Sequence, residues 1–211
     1  MPNLLDFFLH VDKHLADFSK THPGQIYGLL FGIIFSETGL IVLPFLPGDS
    51  LLFAAGALAA NPANGLNPWL LAPLLFAAAL IGDNVNYLVG KHFGRALFKP
   101  GSKLFKQAHL EQTEAFLEKY GGQAIIRARF VPIVRTFAPF TAGVGTMHWR
   151  QFVGYSVLAT LLWVGLCFGG GALLGGIPFF KAHFDLVALA IVVVSVVPAV
   201  VEIVKRRRQG H

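Results

Sequence analysis

Cysteine, charge and long hydrophilic stretches are all scarce in this chain. Cys167 is the single cysteine in 211 residues, which excludes an intramolecular disulfide and leaves a thiolate metal site without partners. Charged residues make up 13% and hydrophobic ones 55%, with a mean hydropathy of +0.61; a soluble domain carries about 25% charge. No hydrophilic block is long enough to fold alone, so residues 1–211 read as one polytopic membrane domain. Acid is scarcer than base, 11 residues against 17, giving a net charge of +6. In a soluble protein that excess would suggest nucleic acid. Here the basic residues flank apolar runs, which fits the positive-inside rule and anionic lipid instead. A cleavable signal peptide is not expected, because Asp6, His10, Asp12 and Lys13 interrupt the first apolar stretch.

What is present falls into apolar segments of unequal length. Residues 3–20 space Leu4, Phe8, Val11, Leu15 and Phe18 at four, three, four and three, as in an amphipathic helix in the interface or on the bundle's rim. His10 and His14 on it have a metal pair's spacing but no third ligand, so no metal is expected. Residues 26–60 hold two apolar arms of about ten residues around Ser36–Gly39, Pro44, Pro47, Gly48 and Asp49. A full span takes about 20 residues, so this reads as a re-entrant hairpin, tolerated only where its broken backbone faces protein or water. Residues 69–90 form the first complete span. A basic segment follows over 91–122, with Lys91, Arg95, Lys99, Lys103 and Lys106 and a short surface helix that closes at Gly121-Gly122.

The segment from 124 to 147 is the unusual one. It buries Arg127, Arg129 and Arg135 in apolar sequence broken by Pro132 and Pro139. At a bilayer centre each arginine costs roughly 2.5–3.5 kcal/mol unless partnered. Residues 152–177 and 186–204 complete the spans, and a basic tail, 205–211, closes the chain. The span 152–177 carries Gly165-x-x-x-Gly169 and Gly171-x-x-x-Gly175, which permit a homodimer or internal packing. Trp69, Trp149 and Trp163, like Tyr87, read as interface aromatics.

Charge sets the expected orientation. The tail and the basic segment both belong on the cytoplasmic side, so 124–147 enters and leaves there as a second hairpin opposed to the first. The expected fold class is therefore an all-α polytopic membrane protein, with two opposed re-entrant hairpins, three full transmembrane helices and amphipathic surface helices. Such inverted repeats place a transport site where the hairpins meet. One hairpin supplies Glu37 and Asp49 and the other supplies the arginines, so opposite charges should meet.

Three segments carry a family resemblance. They are Glu37-Thr-Gly with Pro44-Phe-Leu-Pro47-Gly48-Asp49; Gly82-Asp83-x-x-x-Tyr87-x-x-Gly90-x-x-x-Gly94; and Arg129-Phe-x-Pro132-x-x-Arg135-Thr-Phe-x-Pro139-x-x-Ala142-Gly143. In this order they resemble the DedA family of bacterial inner-membrane proteins, whose VTT-type domain is shared with eukaryotic lipid scramblases, over about residues 25–205. The resemblance implies a carrier driven by the proton motive force, with undecaprenyl phosphate as its lipid and the cytoplasmic membrane as its place. It puts the essential acids at Glu37 and Asp49 and the essential arginines at Arg129 and Arg135. Arg127 lies outside the family motif.

On the residues themselves, Arg127, Arg129 and Arg135 are the candidate phosphate ligands, since a guanidinium offers a planar fork of donors that stays charged when buried. Purely structural pairing with the acids is the alternative. Glu37, Asp49 and Asp83 are the candidate proton-coupling groups, because burial makes a charged carboxylate expensive. Asp49 could instead cap a helix, and Asp83 could pair locally near the cytoplasmic end of its span, solvated through Asn84 and Asn86. Protons and a membrane lipid are the expected partners, with no cofactor. Other functions left open are a cation/proton antiporter and a general phospholipid scramblase. An enzyme is not expected: Ser102 and His109 flank only lysines, and no phosphatase-like Pro-Ser-Gly-His segment exists.

Overall fold

A computed structural model describes residues 18, 21–22, 24–40, 48–97, 115, 117–145, 147–175 and 177. The expected amphipathic helix over 3–20, Pro44 and Pro47, most of the basic segment, the span 186–204 and the tail lie outside these residues. Among the described residues every regular element is helical: α1 (Gln25–Gly39), α2 (Gly48–Ala59), α3 (Pro68–Leu97), α4 (Gln123–Ala128), α5 (Pro132–Val144) and α6 (Trp149–Leu174). A short 3-10 turn, Pro62–Asn64, links α2 to α3.

Two of the helices, α3 and α6, are long and apolar enough to cross a membrane. The other four have 15, 12, 6 and 13 residues, so at 1.5 Å per residue none exceeds about 23 Å. The described residues thus form two pairs of short helices, each followed by a long one. α3 extends seven residues past its expected end at Gly90, because nothing in Lys91–Leu97 breaks a helix. Asp83 consequently lies halfway along α3 rather than near its end.

The break in the second pair lies at Arg129–Val131. Val131 is extended (φ −119°, ψ 108°), the conformation that the clash with a following proline ring favours, and Pro132 then starts α5 where a missing N–H costs nothing. Pro139, expected to break the segment, stands inside α5 without ending it. Gly121, at φ +54°, closes the preceding helix by donating to the Leu117 carbonyl at 2.7 Å, as the sequence suggests.

Packing repeats from one half to the other. The first short helix of each pair rests on the long helix of its own half, α1 on α3 and α4 on α6. The second rests on the long helix of the other half, α2 on α6 and α5 on α3. The residues at these crossings repeat too. In α2, the Phe53 carbonyl sits over Gly171 and Gly56 sits against the Phe168 carbonyl; in α5, the Phe140 carbonyl sits over Gly90 and Gly143 against the Tyr87 carbonyl. One step on, Gly175 meets Ala57 and Gly94 meets Val144. A Phe-x-Ala-Gly segment therefore grips an aromatic-x-x-Gly-x-x-x-Gly segment twice, backbone on backbone, where any Cβ would collide. Gly171 and Gly175 are spent on this internal contact. Gly165 and Gly169 meet nothing within 4 Å among the described residues.

The two ends of the bundle differ in charge. Lys91, Lys119, Arg127 and Arg150 are all exposed, at the end where the Tyr87 hydroxyl donates to the Met147 carbonyl at 2.7 Å. The connection at the other end, residues 61–67, has no charged side chain and is tied down by the Asn67 N–H, which donates to the Tyr27 hydroxyl at 2.9 Å.

Candidate functional site: a buried cluster of arginines and carboxylates

The ends of both helix pairs meet the middles of both long helices, and Glu37, Asp49, Asp83, Arg129 and Arg135 collect there. Arg135, in the opening turns of α5, donates to Glu37 through Nη2 and to Asp49 Oδ1 through Nη1 at 2.6 Å. Arg129, in the break after α4, donates to Asp83 Oδ2, which also accepts from Ser156 Oγ at 2.7 Å. The cluster is buried: Arg129 is 6% exposed, Glu37 3% and Asp83 2%.

Local helix electrostatics explain why these groups need one another. Glu37 is near the C-terminus of α1, where the helix dipole disfavours an anion, and Arg135 is near the N-terminus of α5, where it disfavours a cation. Pairing them cancels both misplacements. Asp49, in the first turn of α2, is well placed by the same rule, but its side chain binds Arg135 across the bundle. Gly48 is the close approach that permits this: the Glu37 carboxylate occupies the position a Cβ at residue 48 would take.

Trp163 of α6 forms part of the same cluster. Its indole N–H donates to Asp49 Oδ1 at 2.7 Å, and its ring carries the guanidinium carbons of Arg129 and Arg135 at 4.8 and 5.6 Å from the centroid. The sequence reading placed Trp163 at the membrane interface; it is 2% exposed. Trp69 is exposed, while Trp149 is half exposed and donates to Asn84 Oδ1 at 3.0 Å.

Glu37, Asp83, Arg129, Arg135, Thr136 and Trp163 surround a cavity of about 10 Å³, room for one water. Of the five buried side-chain polar atoms without a hydrogen-bond partner among the described residues, two belong to residues lining this cavity, Arg129 Nη2 and Glu37 Oε2. One is a spare donor and the other a spare acceptor.

A VTT domain model matches residues 46–173, the stretch that holds every member of this cluster except Glu37. The chain belongs to the DedA family. It is 50% identical over 206 residues to Protein DedA of Escherichia coli K12, covering 97% of this chain and 94% of that one. It is 41% identical over 202 residues to the uncharacterized membrane protein Rv0364 of Mycobacterium tuberculosis, covering 95% and 86%. The inner membrane protein YghB of E. coli K12 is 33% identical over 193 residues, covering 90% and 84%. No solved structure matches the chain. It is a membrane protein of the DedA family.

The DedA-type motifs can now be placed. The acid motif and the arginine motif supply Glu37, Asp49, Arg129 and Arg135 to one cluster. The glycine motif supplies Asp83 to that cluster and the contact surface around it: Gly82 on Thr38 and Gly39 of α1, Gly90 and Gly94 on α5. Tyr87, expected at the interface, is buried and stacks on Phe152 with centroids 4.6 Å apart. Asp83, expected to be solvated near a helix end, is a buried partner of Arg129.

Arg127 does not join the cluster. It is exposed, with its guanidinium 4.4 Å from the Tyr120 ring centroid, toward the basic end. Position alone explains this, since Arg127 is in the last turn of α4 and Arg129 in the break that follows. Asn86, expected to help solvate Asp83, and Trp163, expected at the interface, were not expected at the cluster. Asn86 Nδ2 donates to the Thr38 and Thr136 carbonyls at 3.2 and 2.8 Å, tying α1 to α5 beside the cavity. A polar residue in an apolar helix was the available signal for Asn86. Trp163 had none.

Proposed function

We propose that this DedA-family protein is a carrier that moves a polyprenyl phosphate, of the undecaprenyl phosphate type, between the leaflets of the bacterial cytoplasmic membrane, coupled to protons. The observation that carries the reading is a buried Arg129 and a largely buried Arg135 held by carboxylates from three different helices, with Arg129 Nη2 without a hydrogen-bond partner among the described residues. Such an arrangement suits an anion exchanger at the level of single side chains: a phosphate offers the forks the same oxygen geometry that the carboxylates do. The cavity has room for no more than about one water, so the form described is the closed one, with the acids occupying the arginines. Opening requires a carboxylate to leave.

Glu37 is the acid we assign to the proton. Among the described residues its one side-chain hydrogen bond runs to Arg135, whereas Asp49 is held by both Arg135 and Trp163. A proton on Glu37 would weaken its hold on Arg135 and free that guanidinium for phosphate. We place the two short-helix pairs as re-entrant hairpins opening to opposite faces, the basic end and the C-terminus in the cytoplasm, and the cluster near the midplane. Arg129 and Arg135 are the phosphate ligands in this reading, with Glu37, Asp49 and Asp83 as exchangeable partners. Arg127 belongs to the cytoplasmic rim. The protein is a carrier and not an enzyme. A cation/proton antiporter would use the acids but leave the arginines without a task.

The test is flux in proteoliposomes loaded with a polyprenyl phosphate in one leaflet. A phosphatase added outside reports how much headgroup has crossed. The native protein should accelerate crossing when a pH gradient is imposed, and Arg129→Ala or Arg135→Ala should abolish the acceleration. Native flux in Arg135→Ala would overturn the proposal.

A further inference from the structure

Trp163 touches three members of the cluster at once, and its surroundings assign it a task beyond filling space. We propose that the Trp163 indole is the platform that keeps Arg129 and Arg135 in position as one phosphate-binding pair when their carboxylates let go; this rests on the phosphate reading above. The two guanidiniums come from different places, one from a helix break and one from α5. Their hydrogen-bonded links run to different acids, Asp83 on α3 for Arg129, and Glu37 and Asp49 for Arg135. Among the described contacts, the ring of Trp163 is what both share.

A phosphate that displaces the acids would otherwise meet two long, free side chains and would have to order both. A guanidinium stacked on an indole loses little freedom on binding, because its plane is already set. The contact does not compete with phosphate for charge, since the indole face attracts the cations through its quadrupole and carries no anion of its own. The indole N–H holds Asp49 separately, at 2.7 Å, so Asp49 keeps a partner when Arg135 turns to the ligand. Trp163 is thus a positioning residue, with the phosphate carried by the arginines.

The experiment uses the full chain in detergent and geranylgeranyl monophosphate as the probe, with geranylgeraniol as the control that lacks the phosphate. The other two tryptophans are Trp69 and Trp149, both outside the cluster. In the Trp69→Phe/Trp149→Phe variant the emission comes from Trp163 alone. Binding of the monophosphate, measured by calorimetry, should be accompanied by a saturable change in that emission, and geranylgeraniol should produce none. Trp163→Phe keeps a weaker cation-binding face and loses the N–H, so it should bind the probe about threefold to tenfold more weakly. Trp163→Leu loses both and should bind about 30-fold more weakly or worse. A role in packing alone would not give this order, because it would move thermal stability and leave the affinity of the folded fraction unchanged. If the native chain binds the monophosphate but the single-tryptophan emission stays flat, or Trp163→Leu binds as the native chain does, the platform is refuted and the phosphate reading stands. If the native chain does not bind the monophosphate in preference to the alcohol, both fail.

Discussion

The Asp83–Arg129 pair offers the cleanest energetic test of the cluster. Asp83→Asn keeps the shape and the acceptor for Ser156 but removes the charge. It leaves Arg129, 6% exposed and with Nη2 already lacking a partner among the described residues, as an uncompensated buried cation. Breaking one side of such a pair costs about 3–5 kcal/mol. For a chain of this length 1 kcal/mol corresponds to about 2–4 °C, so the melting temperature should fall by roughly 6–20 °C. Arg129→Met leaves the carboxylate alone, 2% exposed, and should fall by a similar amount. The double variant Asp83→Asn/Arg129→Met buries no net charge at either position. It should recover at least about 2 kcal/mol relative to the sum of the singles. Detergent-solubilised protein melted in a differential scanning fluorimeter gives all four values without any assumption about transport. If the two losses simply add to within about 0.5 kcal/mol, the buried pair is not an energetic unit and the charge argument for the whole cluster falls with it.

The remaining predictions concern single contacts. Gly48→Ala places a methyl group where the Glu37 carboxylate lies; it should displace Glu37 from Arg135 and lower stability by about 1–3 kcal/mol, visible as a loss in thermal melting. Gly90→Ala and Gly171→Ala strike equivalent crossings and should each cost about 1–3 kcal/mol by the same route. Gly165→Ala, at an open position, should stay within about 0.5 kcal/mol of the native chain. Glu37→Gln carries a permanently uncharged side chain, so binding of a polyprenyl phosphate should persist and keep only the pH dependence that the phosphate's own second ionisation, at about pH 6, and the other acids supply; a pH profile unchanged from the native one would exclude Glu37 as the coupling group. Arg127→Ala should leave flux unaltered, since this side chain rests on Tyr120 outside the cluster.

The meeting of Glu37, Asp49 and Arg135 was legible in the sequence because lone charges in apolar segments have few places to go, and opposite signs on two short-armed segments point to each other. The partner of Arg129 was not. Asp83 looked like an end-of-helix residue as long as α3 was taken to stop at Gly90; with seven more residues it stands mid-helix, where Asn84 and Asn86 bring no bulk water. Pro139 looked like a breaker because proline usually is one, yet α5 continues through it, while the break itself is set by Pro132 through Val131. The repeat between halves was legible only as a layout. Its residue pattern hides from any comparison at a fixed offset: Phe53 and Phe140 stand 87 residues apart, and Gly90 and Gly171 stand 81 apart. Trp163 carried no signal at all, since nothing in a lone tryptophan within an apolar span tells whether its ring meets lipid or two cations.

The exchanged grip between the halves has a consequence for how the chain is made. When α2 leaves the ribosome, the start of the helix it must rest on, α6, is still about 90 residues from being synthesised, and α2 has only lipid and its lesser contacts with α1 and α3 to lean on. The first half therefore cannot reach its final seating by itself. Its apolar but short helices must wait in the insertion machinery or at the bilayer surface until the second half arrives and both grips close together. A chain truncated after α3 should be recognised as incomplete and degraded, and supplying the second half as a separate polypeptide should rescue it.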